Sequence, residues 1–166
     1  MNKSLLVILW ISAFGLIFFA CKKNDDPTPI KSPEELAIES LAGKSSTTWT
    51  VAGGGSVFRG EGNSVTNLYQ NFEITFSANQ NSKTYSVSNG GDLFDNSGNW
   101  NFVAGDLTKI SLAGTRPASG PEISHTKPSA NDLVLIFSIV APGAEKKGTQ
   151  GAALAGNYRF NLKRKQ

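Results

Sequence analysis

Few side chains in this 166-residue sequence can do chemistry, and the most telling is its only cysteine. Cys21 directly follows an apolar run from Leu5 to Ala20 and directly precedes Lys22-Lys23-Asn24-Asp25-Asp26-Pro27. A positive start at the amino terminus and Lys3, an apolar core and a small residue at Ala20 are the marks of a secretory signal, residues 1–20, whose cleavage leaves Cys21 first. A thiol placed there reads as a lipid-attachment site. Left free in an oxidising compartment it would pair between chains or stay reactive, and acylation removes that liability. Two alternatives stay open: an ordinary secreted protein with an unpaired thiol, and a run retained in the membrane. The run is shorter than the roughly 20 residues a spanning helix needs.

The remaining inventory argues against an enzyme. One histidine and no cysteine after Cys21 exclude His-rich zinc sites, Cys–His dyads and thiolate chemistry. Ser124, His125 and Asp132 can be written as a triad, but no nucleophile elbow surrounds Ser124, and neighbours on one strand point to opposite faces. Asp92, Asp95, Asn96, Ser97 and Asn99 gather oxygens as a calcium loop does. An EF-type loop wants glycine at its sixth position, however, and counting from Asp95 the sixth residue is Trp100. A hairpin turn explains the cluster better. Glu61, Glu73 and Glu122 fall on separate elements with no reason to converge as a hydrolytic pair. No catalytic or metal-ligating residue is therefore expected.

Charge is equally modest. Without Lys3, fifteen basic residues face thirteen acidic ones, and Lys163-Arg164-Lys165 supplies much of the excess. A nucleic-acid face would be broader and interleaved with aromatics, so no nucleic-acid partner is expected.

Phe18-Phe19-Ala20-Cys21 resembles the bacterial lipobox read by lipoprotein processing enzymes. That resemblance implies a covalent diacylglycerol and an N-acyl lipid on Cys21, and no other cofactor. Several chains anchor a protein stably where one holds it only marginally. Lys22-Lys23-Asn24-Asp25-Asp26 is similar to the charged export tags of Bacteroidota lipoproteins, which implies an outer-membrane protein exposed at the cell surface. A solvated charged tether is the other reading of that run.

From Lys22 to Ser32 the chain is polar and Pro-rich with a single isoleucine, too little apolar area to offset ordering, so residues 21–32 form the lipidated cysteine and its tether. Ser32-Pro33-Glu34-Glu35 then supplies an N-cap, a proline at the first helical position and a glutamate three after the cap, while Gly43 closes the element. The pattern predicts a helix over 33–42 with Leu36, Ala37 and Leu41 on one face. Beyond Lys44 the period becomes two. Phe72, Ile74 and Phe76, then Tyr85 and Val87, Trp100 and Phe102, Ile110 and Leu112, and Tyr158, Phe160 and Leu162 each alternate with polar residues. Strands are expected near 48, 57, 73, 85, 100, 110, 124, 136 and 160, with turn residues between them. Only Leu133–Val140 is apolar on both faces; its Val134 and Ile136 need a cover, and the helix is the expected one.

The fold class expected is all-β: one domain over 33–166, an antiparallel up-and-down meander closing as a barrel of about eight strands with a short N-terminal helix. A two-sheet sandwich is the alternative. Leu41-Ala42-Gly43-Lys44, Thr84-Tyr85 and Gly98-Asn99-Trp100 resemble the recurring segments of lipocalin-like lipoproteins of the Bacteroidota. The resemblance implies an anchored, non-catalytic barrel whose partners are the membrane and either a small apolar ligand or an envelope component. The alternative is a structural or accessory lipoprotein that recognises glycan or protein through its loops. The segments Ala113–Pro121 and Ala141–Gly156 are longer than hairpins require and could carry that specificity. Bulky inward residues, Phe72, Phe76, Tyr85, Trp100, Phe102, Phe137 and Phe160, favour a filled interior over an open one. No ligand-binding residue can be named from the sequence.

Overall fold

The computed structural model describes residues 30–141 and 153–166. The signal run, Cys21 and most of the 141–156 loop lie outside the described residues. The capped helix forms as its residues dictate. In α1 (Pro33–Ala42) the Ser32 hydroxyl accepts from Glu35 N at 3.2 Å and the Glu35 carboxylate accepts from Ser32 N at 2.6 Å, a closed capping box. Nine strands follow: β1 (Ser46–Thr50), β2 (Ser56–Arg59), β3 (Glu73–Ala78), β4 (Lys83–Ser88), β5 (Ser97–Val103), β6 (Asp106–Leu112), β7 (Ile123–Ser129), β8 (Asp132–Ile139) and β9 (Gly156–Arg164). Short 3-10 turns sit at Thr66–Leu68 and Pro117–Ser119. Each expected strand centre falls within an observed strand.

All pairings are antiparallel, in the order β1-β3-β4-β5-β6-β7-β8-β9. β9 then returns to β1 through Trp49↔Arg164 and Thr50↔Lys163, which closes an eight-stranded barrel and rejects the sandwich. β2 is the extra strand. It pairs with β9 from Ser56↔Asn161 to Arg59↔Tyr158, so β1 and β2 lie along one edge of β9, interrupted by the excursion Val51–Gly55. Gly55 N donates to Val51 O at 2.8 Å, and a Cβ on Gly55 would meet Asn161 O at 2.6 Å. The excursion can return to β9 only at a glycine.

The inward positions of the strands form one core. Trp49, Ile74, Phe76, Tyr85, Trp100, Ile110, Ile123, Leu135, Phe160 and Leu162 are all buried. The barrel has two unlike ends. At the base, α1 and the tight turns 79–82, 104–105 and 130–131 gather, and Leu41 and Ala42 are fully buried there. Trp49 donates its indole N–H to Leu41 O at 2.9 Å, joining the helix to β1. At the rim lie the longer segments 60–72, 89–96 and 113–122, with residues 140–141 and 153–155 beside them.

Two expectations about the helix are corrected. Leu36 is 55% exposed, and the residue packed on the core is Ile38, with Leu41 and Ala42 behind it. The helix touches β1, β3 and β6 and does not cover β8. Val134 is half-buried and Ile136 is 39% exposed, both on the outer wall opposite Asn161 and Arg159 of β9. The capping residues set where the helix begins, but the open base of the barrel offers more apolar contact than the outer wall, and the helix goes there.

Residues Lys31–Gln166 make one compact unit with its own core and a sheet without free edges inside the ring, the conditions for folding alone. Within it, Gly98 on β5 is crowded. A Cβ there would run into Ala113 O and come within 2.8 Å of Tyr85 Cε1, whose hydroxyl donates to that same carbonyl at 2.9 Å. Gly98→Ala is expected to cost about 1–3 kcal/mol, read as a lower midpoint in urea unfolding.

Candidate functional site

The residues that could have formed a catalytic centre are dispersed. His125 points inward from β7 and is buried; its Nε2 lies 3.0 Å from Leu107 O, so that nitrogen carries the proton and donates. Burial lowers its pKa, outweighing the Leu107 carbonyl bond and the nearby Asp106, which keeps the ring neutral at neutral pH. Ser124 faces the other side of β7, and Asp132 is engaged by Lys163 at 2.6 Å and by the Ser129 hydroxyl. The three side chains do not meet. Glu73 pairs with Lys165 at 2.7 Å and Glu122 with Lys109 at 3.1 Å, on different strands, while Glu61 sits in the segment after β2. Lys163-Arg164-Lys165 is the end of β9 and is split among Asp132, the base and Glu73.

The oxygen-rich cluster before β5 works as a fastener between two rim segments. Asp95 Oδ2 accepts from Thr115 N and Arg116 N, both at 2.9 Å, and from Ser119 Oγ at 2.7 Å; Oδ1 accepts from Thr115 Oγ1 at 3.1 Å. Asp92 binds Arg116 at 2.6 Å beside it. These bonds bind the 89–96 segment to the 113–122 segment. Among the described residues no group of His, Cys, Asp and Glu is placed to hold a metal ion.

With the two segments fastened, Leu93 and Phe94 turn down into the barrel, and Ala118 is buried with them. Phe94 meets Phe72 at 5.1 Å between ring centroids, Phe160 at 5.5 Å and Phe137 at 5.7 Å. Phe72 and Phe160 lie 4.9 Å apart, and Tyr69 stands 5.2 Å from Phe160. Burial first, then the neighbouring Tyr158 and Asp92, pushes the Tyr69 hydroxyl up to about 12. Toward the base, Trp100 packs edge-on between Phe76 and Phe102 at 5.6 and 5.3 Å. The expected aromatic set is inside, with Phe102 half-buried. Leu93, Phe94, Tyr69 and Ala118 were not legible as core, because none belongs to an alternating run.

A second rim contact involves the long loop. Arg59 reaches across from β2 to Ala153 O at 2.6 Å and to Ala155 O, and its guanidinium stands 5.8 Å over the Tyr158 ring. The Tyr158 hydroxyl donates to Leu154 O at 2.9 Å. Arg59 is thus the residue that holds the descending end of the long loop to the barrel, and no motif marked it. A shallow cleft of about 430 Å³ opens beside it, lined by Phe58, Glu61, Ile136, Tyr158 and Arg159.

No family profile, curated protein or solved structure matches this chain. The fold it displays is a lipocalin-like barrel by architecture. Among the described residues no helix is long and apolar enough to cross a membrane.

Asp95 offers a direct check on the rim. Partial burial pushes its carboxyl up, but the bonds from Arg116, Ser119 and Thr115 outweigh that and hold it below its ordinary 3.8. Its contribution is therefore full above about pH 4 and fades as pH falls through the lowered value. Asp95→Asn is expected to lose about 1 kcal/mol at neutral pH, with the gap to wild type narrowing in acid, measured by denaturant titration at a series of pH values.

Proposed function

We propose that this chain is a cell-envelope lipoprotein, anchored through acyl chains on Cys21 in the outer membrane, whose barrel is non-catalytic and recognises an envelope protein or glycan at its loop rim. The observation that carries the second half is Phe94. A carrier of a small apolar molecule needs an open interior, and the rings of Phe72, Phe94, Phe137 and Phe160 stand in mutual contact along the space such a molecule would use. Of the two binding roles a barrel of this kind can take, the ring packing favours the one outside.

Polarity of the molecule fits this role. Lys31 enters the domain at the base, where Glu34 of α1 pairs with Lys83 at 3.1 Å beside the β3–β4 turn. The polar run Lys22–Ser32 reaches at most about 40 Å when extended. The tether of an anchor at Cys21 would join the domain at its base, the end opposite the rim. The rim is stiffened from beneath by Arg59 and Asp95, which lowers the ordering cost of a docking surface.

The resemblance of Leu41-Ala42-Gly43-Lys44, Thr84-Tyr85 and Gly98-Asn99-Trp100 to Bacteroidota lipocalin-like lipoproteins supports the same assignment, as does Phe18–Cys21 with its lipobox pattern. Two measurements test it separately. Metabolic labelling with an alkyne fatty acid is expected to mark the full chain and to fail on Cys21→Ser; label retained by the variant would overturn the anchor. Native mass spectrometry of residues 22–166 after exposure to envelope lipid extracts is expected to show the protein alone, and a stoichiometric apolar adduct would overturn the filled interior.

A further inference from the structure

Three strands reach the base on polar inward positions. Thr47 of β1, Lys127 of β7 and Arg164 of β9 each continue the inward alternation of their strands past the last apolar residue. Thr47 is 6% exposed, and its hydroxyl is the one buried side-chain polar atom among the described residues without a hydrogen-bond partner. An orphaned buried hydroxyl is costly unless a partner accepts a hydrogen bond from it.

Two cations lie beside Trp49 at the same end of the barrel. The point one Cβ bond out from Gly43 lies 2.7 Å from Thr47 Oγ1, 3.6 Å from Ser46 O and 3.9 Å from Arg164 Nη2. Arg164 is paired in register with Trp49, and Lys127 Nζ sits 5.3 Å over the Trp49 ring. Among the described residues neither cation meets a carboxylate. The acids of this end are already engaged: Glu34 by Lys83, Glu39 by Lys31, Asp106 by Lys109 and Asp132 by Lys163. Burial and the charge of Arg164 together lower the pKa of Lys127, a tension that an arriving anion would relieve.

We propose that Thr47, Lys127 and Arg164 form a binding site for a phosphate-class oxyanion at the base of the barrel, and that its occupant in the cell is the phosphate of an envelope lipid headgroup. A phosphate fits this donor set: Arg164 offers a planar fork, Lys127 a point charge and Thr47 a hydroxyl, each donating to an anionic oxygen. The headgroup as the source rests on the anchored reading, in which the tether joins the domain at its base. The oxyanion site itself does not.

Trp49 reports on the site, because the cation over its ring would move when an anion binds. Residues 22–166, without the anchor, are titrated with inorganic phosphate while indole emission is followed, and separately mixed with vesicles of phosphatidylglycerol in phosphatidylcholine or of phosphatidylcholine alone. A saturable emission change with phosphate and sedimentation with the anionic vesicles only are expected. Lys127→Gln and Arg164→Gln should each weaken phosphate at least tenfold, and Arg159→Gln on the outer wall should leave it unchanged. Thr47→Val removes the hydroxyl at constant shape and should weaken phosphate without lowering the melting temperature, which separates a ligand contact from a folding defect. No response to phosphate, or equal losses in Arg159→Gln, overturns the site. Phosphate binding without vesicle binding overturns the headgroup as occupant. Because Cys21 is absent from this protein, a failed lipidation experiment and a failed binding experiment are told apart.

Discussion

Everything in this molecule depends on β9 finding two partners on one of its edges. Along its other edge it pairs with β8 from Ile139↔Gly156 to Asp132↔Lys163. On the first edge it pairs with β2 and then with β1, and the last two pairs turn an open meander into a ring. An open sheet of this length would expose a row of unpaired backbone groups at each side and one apolar face to water. Closure removes the edges and makes a single interior at the same time. The glycine excursion at 51–55 is the device that permits it, since one edge strand must step aside and return within five residues.

A ring of eight strands has two open ends, and the chain closes them by different means. At the base a capped helix delivers Leu41 and Ala42, and Trp49 ties the helix to the wall with its indole bond to Leu41 O. At the rim two loop segments are fastened by a carboxylate so that Leu93 and Phe94 hang into the core. The second arrangement has a functional consequence. A barrel of this strand number can hold either side chains or one small ligand, and here loop aromatics take the space. The loops that fill the interior are also those that form the outward surface, so the packing beneath sets the shape above.

The strands were legible because inward and outward positions of a half-buried strand alternate in polarity, and β3, β4 and β9 do so without interruption. The helix was legible from Ser32, Pro33, Glu35 and Gly43, whose capping chemistry is local. Its position was not. Two apolar strips, the helix face and the outer face of β8, looked complementary along the chain. The folded barrel offered the helix a deeper site at its open base, which exists only after β9 meets β1. Asp95 was legible as a turn residue, but its three partner residues lie about twenty residues away and become neighbours only through the β5–β6 hairpin.

By itself the sequence determined the class of the domain, the number and centres of its strands, the bounds of its helix and the poverty of its catalytic inventory. Each of these rests on residue type and short spacing, which need no third dimension. Only the tertiary structure decided that the sheet closes, that the helix seals the base, that Phe94 occupies the interior, and that Lys127 and Arg164 both come to lie beside Trp49. Those outcomes depend on contacts between residues far apart in the chain, and a period of two specifies the faces of a strand but not which strand it will lie beside.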